Sequence, residues 1–200
     1  EREILEAARE ALRSEPRLGP DYHPETLKIG PDGALVIGGE VASLAAKKRA
    51  LHALGALEGI TGVADRLHVA PAAPMGEDEI RAHLRDFFVQ EPAFQAFTLR
   101  EMVAEETEHG YKVLYEGVAG EGMPARGQID IEVRDGVVTL NGRVPGLTHR
   151  RLAGVLAWWV PGVRDVVNGL AVEPPEEDGP TRLEEGVRTA LEKNPFIDAA

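Results

Sequence analysis

Two stretches of the chain alternate apolar and polar positions around an Asp-Gly pair: IGPDGALVIGGEV at residues 29–41 and VRDGVVTLNGRV at 133–144. Alternation predicts strands with one buried face, and Asp-Gly between two such runs predicts a hairpin turn. Ile129, Ile131 and Val133 extend the second alternation upstream, as a strand facing a core should. Helical spacing precedes each hairpin. Ile4, Ala8 and Leu12, and then Ile80, Leu84 and Phe88, recur on one helix face before Pro16 and Pro92, which continue a helix poorly.

The two stretches belong to a repeat. Gly33 and Gly136 lie 103 positions apart (136 − 33), and the same offset joins Gly39 to Gly142, Val41 to Val144, Leu44 to Leu147, Ala50 to Ala153, Gly59 to Gly162, Val63 to Val166, Leu67 to Leu170 and Val69 to Val172. Each unit reads helix, strand, turn, strand, helix, strand, over about 2–14, 26–30, 35–41, 44–57 and 63–69 in the first. In the second the spans are about 78–90, 128–134, 137–144, 147–159 and 165–172. The expected fold class is α+β: tandem two-layer domains, each a three-stranded mixed sheet packed on two helices. Residues 1–70 form the first domain and 77–173 the second, with Pro-rich linkers at 71–76 and 174–180. Leu183, Val187 and Leu191 before Pro195 repeat the opening helix once more. Residues 181–200 then read as the first helix of a truncated third unit, or as a C-terminal helix docking on the second.

One departure breaks the repeat. Pro16 to Asp32 is 16 positions (32 − 16), whereas Pro92 to Asp135 is 43 (135 − 92), so the second unit carries an insertion at about 93–127. Tyr111, Val113 and Tyr115 alternate within it and predict an added strand, paired with residues around 98–104. The insertion either lengthens the sheet or presents a partner-specific surface.

Composition narrows the chemistry. A net charge of −12 disfavours nucleic acid, whose phosphates would be repelled, and zero cysteines exclude disulfide frameworks and cysteine metal sites. No apolar run reaches the roughly 18 residues of a membrane span. The chain opens at Glu1 without an apolar leader, which leaves a signal peptide or anchor upstream open. GEGMPA at 120–125 matches a loose dinucleotide pattern, but Pro124 and Gly127 stand where an apolar helix should begin. His23, His52, His68, His83, His109 and His149 sit singly, and Glu105, Glu106 and Glu108 fit a solvated acidic face. No catalytic residue, metal site or cofactor is assigned.

Two surfaces remain as binding candidates. Lys47 and Lys48 in the first unit match Arg150 and Arg151 in the second, and Arg49 and His149 extend the clusters. On an acidic chain they suit anions such as lipid phosphate, or else a solvated helix face balancing nearby acids. Leu152, Val155, Leu156 and Trp159 follow a core stripe, which places Trp159 inside and Trp158 at its edge or exposed. An exposed Trp158 would anchor a membrane or protein interface, or pack against the neighbouring domain or the insertion.

The hairpin Asp135–Gly142 and the run Val160–Asn168 with Leu170 and Val172 resemble the BON domain family (bacterial OsmY and nodulation). Asp32, Gly33, Gly39, Gly59, Ile60, Val63, Leu67 and Val69 carry a looser version in the first unit. The resemblance implies an αββαβ fold and a non-catalytic binding role, often in the bacterial envelope, with phospholipid surfaces as ligand. Asp32, Gly33, Gly39, Gly59, Asp135, Gly136, Gly142 and Gly162 are then structural turn residues. The leading expectation is a binding or scaffold protein engaging phospholipid or envelope-associated proteins, with self-association through edge strands or the insertion as a further route. The alternative is a cytoplasmic potassium-binding or stress-response module. An enzyme using the insertion as a lid is a third reading.

Overall fold

The computed structural model describes residues 1–19, 21–104, 110–119 and 125–173. They form two compact units that divide between Ala70 and Pro71. The expected helix at 181–200, the acidic run 105–108, His109 and most of GEGMPA lie outside the described residues.

The first unit runs α1 (Arg2–Arg13), β1 (Thr26–Ile29), β2 (Leu35–Val41), α2 (Leu44–Gly55) and β3 (Val63–Val69). β2 is central, antiparallel to β1 and parallel to β3. The alternating apolar face of the sheet meets the helix stripes in a core of Ala8, Leu12, Leu35, Ile37, Ala50, Leu54 and Leu67. Ser43 starts α2 by accepting the Ala46 N–H on its hydroxyl at 3.1 Å, which satisfies one of the helix's orphan donors.

The second unit runs α3 (Glu77–Gln90), a 3₁₀ turn (Pro92–Phe94), β4 (Phe97–Ala104), β5 (Tyr111–Val118), β6 (Gly127–Arg134), β7 (Val137–Val144), α4 (Leu147–Ala157), β8 (Asp165–Asn168) and β9 (Ala171–Val172). Without β4 and β5 this is the order of the first unit. The insertion adds two strands on the outer side of β6, giving a six-stranded sheet in the order β5-β4-β6-β7-β8, with β9 also on β7. The three-stranded mixed sheet expected of both units is therefore extended in the second. β4 runs parallel to β6 and antiparallel to β5. Residues 98–104 pair with the strand marked by Tyr111, Val113 and Tyr115.

The added strands are built into the unit's core. Phe94 stacks edge-on between Phe88 and Phe97, with centroids 5.0 and 5.3 Å away, and all three rings are fully buried. Arg100 of β4 makes two 2.7 Å hydrogen bonds to Asp130 of β6, and the bond to Asp130 raises the guanidinium pKa further above its usual value. Arg85 of α3 bonds the nearly buried Glu101 at 2.7 Å and lies 5.0 Å from the Tyr115 ring centroid. The stretch after Ala70 also runs against this unit. Ala72 and Ala73 N–H both donate to Pro161 O, at 2.8 and 3.3 Å, and Met75 packs on the core.

The two Asp-Gly turns are not copies. Asp135 and Gly136 both take positive φ, 51° and 77°, in a two-residue loop between Arg134 and Val137, the arrangement that suits strand twist best. In the first unit only Gly33 does, at 80°. There the Gly33 N–H bonds Gly30 O and the Gly30 N–H bonds Ala34 O, so the loop has three residues, a tight turn closed by a left-handed glycine. Leu27 and Ile131, which face the matched Ile37 and Leu140, consequently stand 104 positions apart (131 − 27) rather than 103.

Candidate binding surfaces

The basic positions split sharply by environment. Lys47 is only 5 % exposed. Its ammonium donates to Leu67 O at 2.6 Å and lies 3.0 Å from the Asp65 carboxylate, tying α2 to β3. Arg150 does the corresponding work in the second unit: it donates to Asn168 O at 3.3 Å, while the Asn168 amide donates to Arg150 O at 2.6 Å. Lys47 and Arg150 are 103 positions apart, as are Asp65 and Asn168 (168 − 65). The repeated cation is thus a strut between helix and last strand. Lys47 is unavailable to an external anion, a correction to the sequence expectation, because the carboxylate and carbonyl that satisfy it sit on a strand it packs against. Asp65 and Asn168 also accept the N–H two residues on, from Leu67 at 2.9 Å and Leu170 at 3.3 Å. Their matched offset was the signal that would have paired them with the cations.

The other cluster members diverge. Arg49 donates to Glu15 at 3.1 Å, joining α2 to the end of α1. His149 stacks on Phe97 with centroids 5.5 Å apart and meets Phe94 edge-on, so the insertion's aromatic rings hold it. Lys48 and Arg151, also repeat-equivalent, are exposed and make no ion pair among the described residues. They are the cations of these clusters free to meet an external anion.

Of the two tryptophans, Trp159 departs from its expected place inside, while Trp158 sits at the edge of the core. Trp158 is half-buried and packs on the core, whereas Trp159 is 36 % exposed and meets Phe87 edge-on at 6.2 Å. The reason is local. α4 ends at Ala157, and the Trp159 N–H bonds Leu156 O, three residues back. Trp158 and Trp159 thus lie past the last residue of α4, where the helical spacing that Leu152 and Leu156 follow no longer sets the face a side chain takes.

The glycines act as scaffold. Gly39 and Gly142 both hold positive φ, 133° and 118°, and a Cβ on Gly142 would collide with Gln128 O. Gly59, which also holds a positive φ of 83°, and Gly162 are contact points for the opening helices. A Cβ there would lie 3.4 Å from Ile4 in one unit and 3.1 Å from Ile80 in the other, so the opening helix seats its isoleucine on the same glycine in both.

Two clefts, of about 200 Å³ beside Arg9, Tyr22 and Leu27 and about 280 Å³ beside Thr98, Arg126 and Arg143, fall below the roughly 300–1,000 Å³ typical of ligand pockets. Burial raises the pKa of the Tyr22 phenol in the first, with Glu25 adding to the shift. Among the described residues no group of His, Asp or Glu is arranged to hold a metal, and no helix is long and apolar enough to cross a membrane. The arrangement offers surfaces: two exposed cations, an exposed tryptophan and the outer strand of the insertion.

No curated protein matches the chain. Two solved structures of CdsD, a structural protein of the type III secretion system of Chlamydia trachomatis, are similar to it at 11 % and 12 % identity. One, its C-terminal domain, aligns over 87 % of this chain and 99 % of its own with a TM-score of 0.27; the other aligns over 91 % and 97 % with 0.26. Such scores carry no argument about fold or function. The family model is decisive: the BON domain model matches residues 3–71 and 115–174, one segment in each repeat and more than half of the sequence. The chain belongs to the BON domain family.

Proposed function

We propose that this is a non-catalytic binding protein of the bacterial envelope whose second unit engages phospholipid surfaces through the end of its helical layer. The observation that carries this reading is Trp159, exposed beside Phe87 where α3 and α4 terminate. An indole with an apolar body and one polar N–H suits the membrane interface. Arg151, on the same unit, adds roughly 1 kcal/mol near an anionic leaflet, and Lys48 is its exposed counterpart in the first unit. Family membership supports a binding role over a catalytic one.

Flotation with anionic and zwitterionic liposomes tests it. The chain should float with anionic vesicles, Trp159→Ala should cut the bound fraction several-fold, and Lys48→Glu with Arg151→Glu should remove the salt-sensitive part. Lys47 and Arg150 are left intact, since they hold helices to strands. No flotation from folded protein on either vesicle would overturn the lipid reading and leave envelope-associated proteins as the partner class.

A further inference from the structure

β5 is an edge strand with unusual content. Every residue in it except Gly117 is exposed. Of the eight large apolar side chains exposed among the described residues, five lie here: Tyr111, Val113, Leu114, Tyr115 and Val118. Other edges are guarded. β1 and β8 are four residues long, and β3 carries Asp65, Arg66 and His68, the short or charged edges that discourage further pairing. β5 is eight residues long, with only Lys112 and Glu116 charged.

The ladder shows what β5 leaves free. The Ala119 N–H donates to Phe97 O at 2.9 Å. Alternation from that bond turns the backbones of Gly117 and Tyr115 toward β4 and those of Val118 and Glu116 outward. Leu114 is an extra residue, placed where the register shifts between Glu101↔Tyr115 and Met102↔Val113. Met102 bonds toward β6 by the same alternation, so Val113 opposite it faces outward, and so does Tyr111. The open edge therefore presents two short ladders, Tyr111–Val113 and Glu116–Val118, on either side of a bulge.

We infer that β5 pairs antiparallel with β5 of a second copy of this chain, about a two-fold axis through the bulge, so that one sheet runs through both molecules. In this register Tyr111 faces Val118 of the second copy and Val113 faces Glu116, and symmetry repeats both pairs. Every outward backbone group then meets an outward group. At the axis Leu114 lies across from Tyr115, twice. A foreign strand would have to reproduce both the bulge and this apolar order, whereas a second copy supplies them by symmetry. The bulge, which would disrupt a regular strand laid on this edge, falls on the axis and is matched by its twin.

The absence of native cysteine makes the test clean. Sedimentation velocity of the full chain should show a species of twice the 21.6 kDa monomer mass by about 100 μM, a range that reveals even small, transient interfaces. Val113→Pro removes one outward N–H while leaving the bonds to β4, and should return the chain to monomer with unchanged circular dichroism. Leu114→Cys should form an intermolecular disulfide several-fold faster than Val167→Cys, on β8 at the far edge of the sheet. A chain that stays monomeric at that concentration, a dimer that survives Val113→Pro, or equal crosslinking at the two positions would overturn the proposal.

Discussion

The two units are one design executed twice, and the second shows what an insertion does to it. In the first, β1 closes the sheet as a four-residue edge. Its counterpart β6 is eight residues long and lies inside the sheet, flanked by β4 and β7. The insertion brings the phenylalanines that recruit His149, Phe94 in the 3₁₀ turn and Phe97 at the start of β4, and the equivalent of His149 in the first unit is the buried Ala46. The added strands also move the free edge outward to β5. An insertion that joins a sheet does not leave the edge problem solved; it relocates the edge and rewrites its chemistry.

The largest difference is expected at the matched glycines. Gly142→Ala puts a methyl group into the Gln128 carbonyl at a φ of 118°, and should cost about 3 kcal/mol or more. Gly39→Ala meets the Glu25 nitrogen at 3.0 Å, and should cost the first unit about 1–2 kcal/mol. Both tryptophans belong to the second unit, so urea unfolding followed by their fluorescence should move for Gly142→Ala and stay for Gly39→Ala. An unmoved Gly142→Ala transition would mean the strands do not approach as closely as described.

The matched struts come next. Lys47→Met strands Asp65, about a third exposed, beside a buried helix face and should cost the first unit about 2–3 kcal/mol. Arg150→Met removes a solvent-exposed bond to Asn168 and should cost about 1 kcal/mol or less. Circular dichroism, which sees both units, would record the first loss in the transition tryptophan does not follow. Equal costs would show that burial does not distinguish the two struts.

Arg100→Ala has no counterpart in the first unit. Removing its paired hydrogen bonds to the partly buried Asp130 should cost about 1–2 kcal/mol. Amide exchange should quicken in β4 and β5 while β7 keeps its protection. Uniform quickening across the sheet would instead mean that the added strands and the repeat unfold as one.

The repeat, both hairpins, the helix stripes and the family were legible in the amino-acid order, because turn chemistry and periodicities of 2 and 3.6 act between near neighbours. The strand at Tyr111–Tyr115 was legible for the same reason. Which edge it would extend was not, since β4 joins β6 by parallel pairing across a long connection that leaves no local mark. The basic clusters and the tryptophan pair were found by pattern, but their roles were assigned elsewhere in the fold. Lys47 became a strut because Asp65 and Leu67 arrive on a strand distant in sequence. Trp159 reached solvent because α4 ends at Ala157, before its apolar stripe extends to that position. By itself the sequence determined the unit and its repetition, which rest on short-range physics. Only the tertiary structure decided which cations are satisfied, which indole is exposed and which strand forms the outer edge of the sheet among the described residues, because burial and pairing depend on what other segments bring alongside.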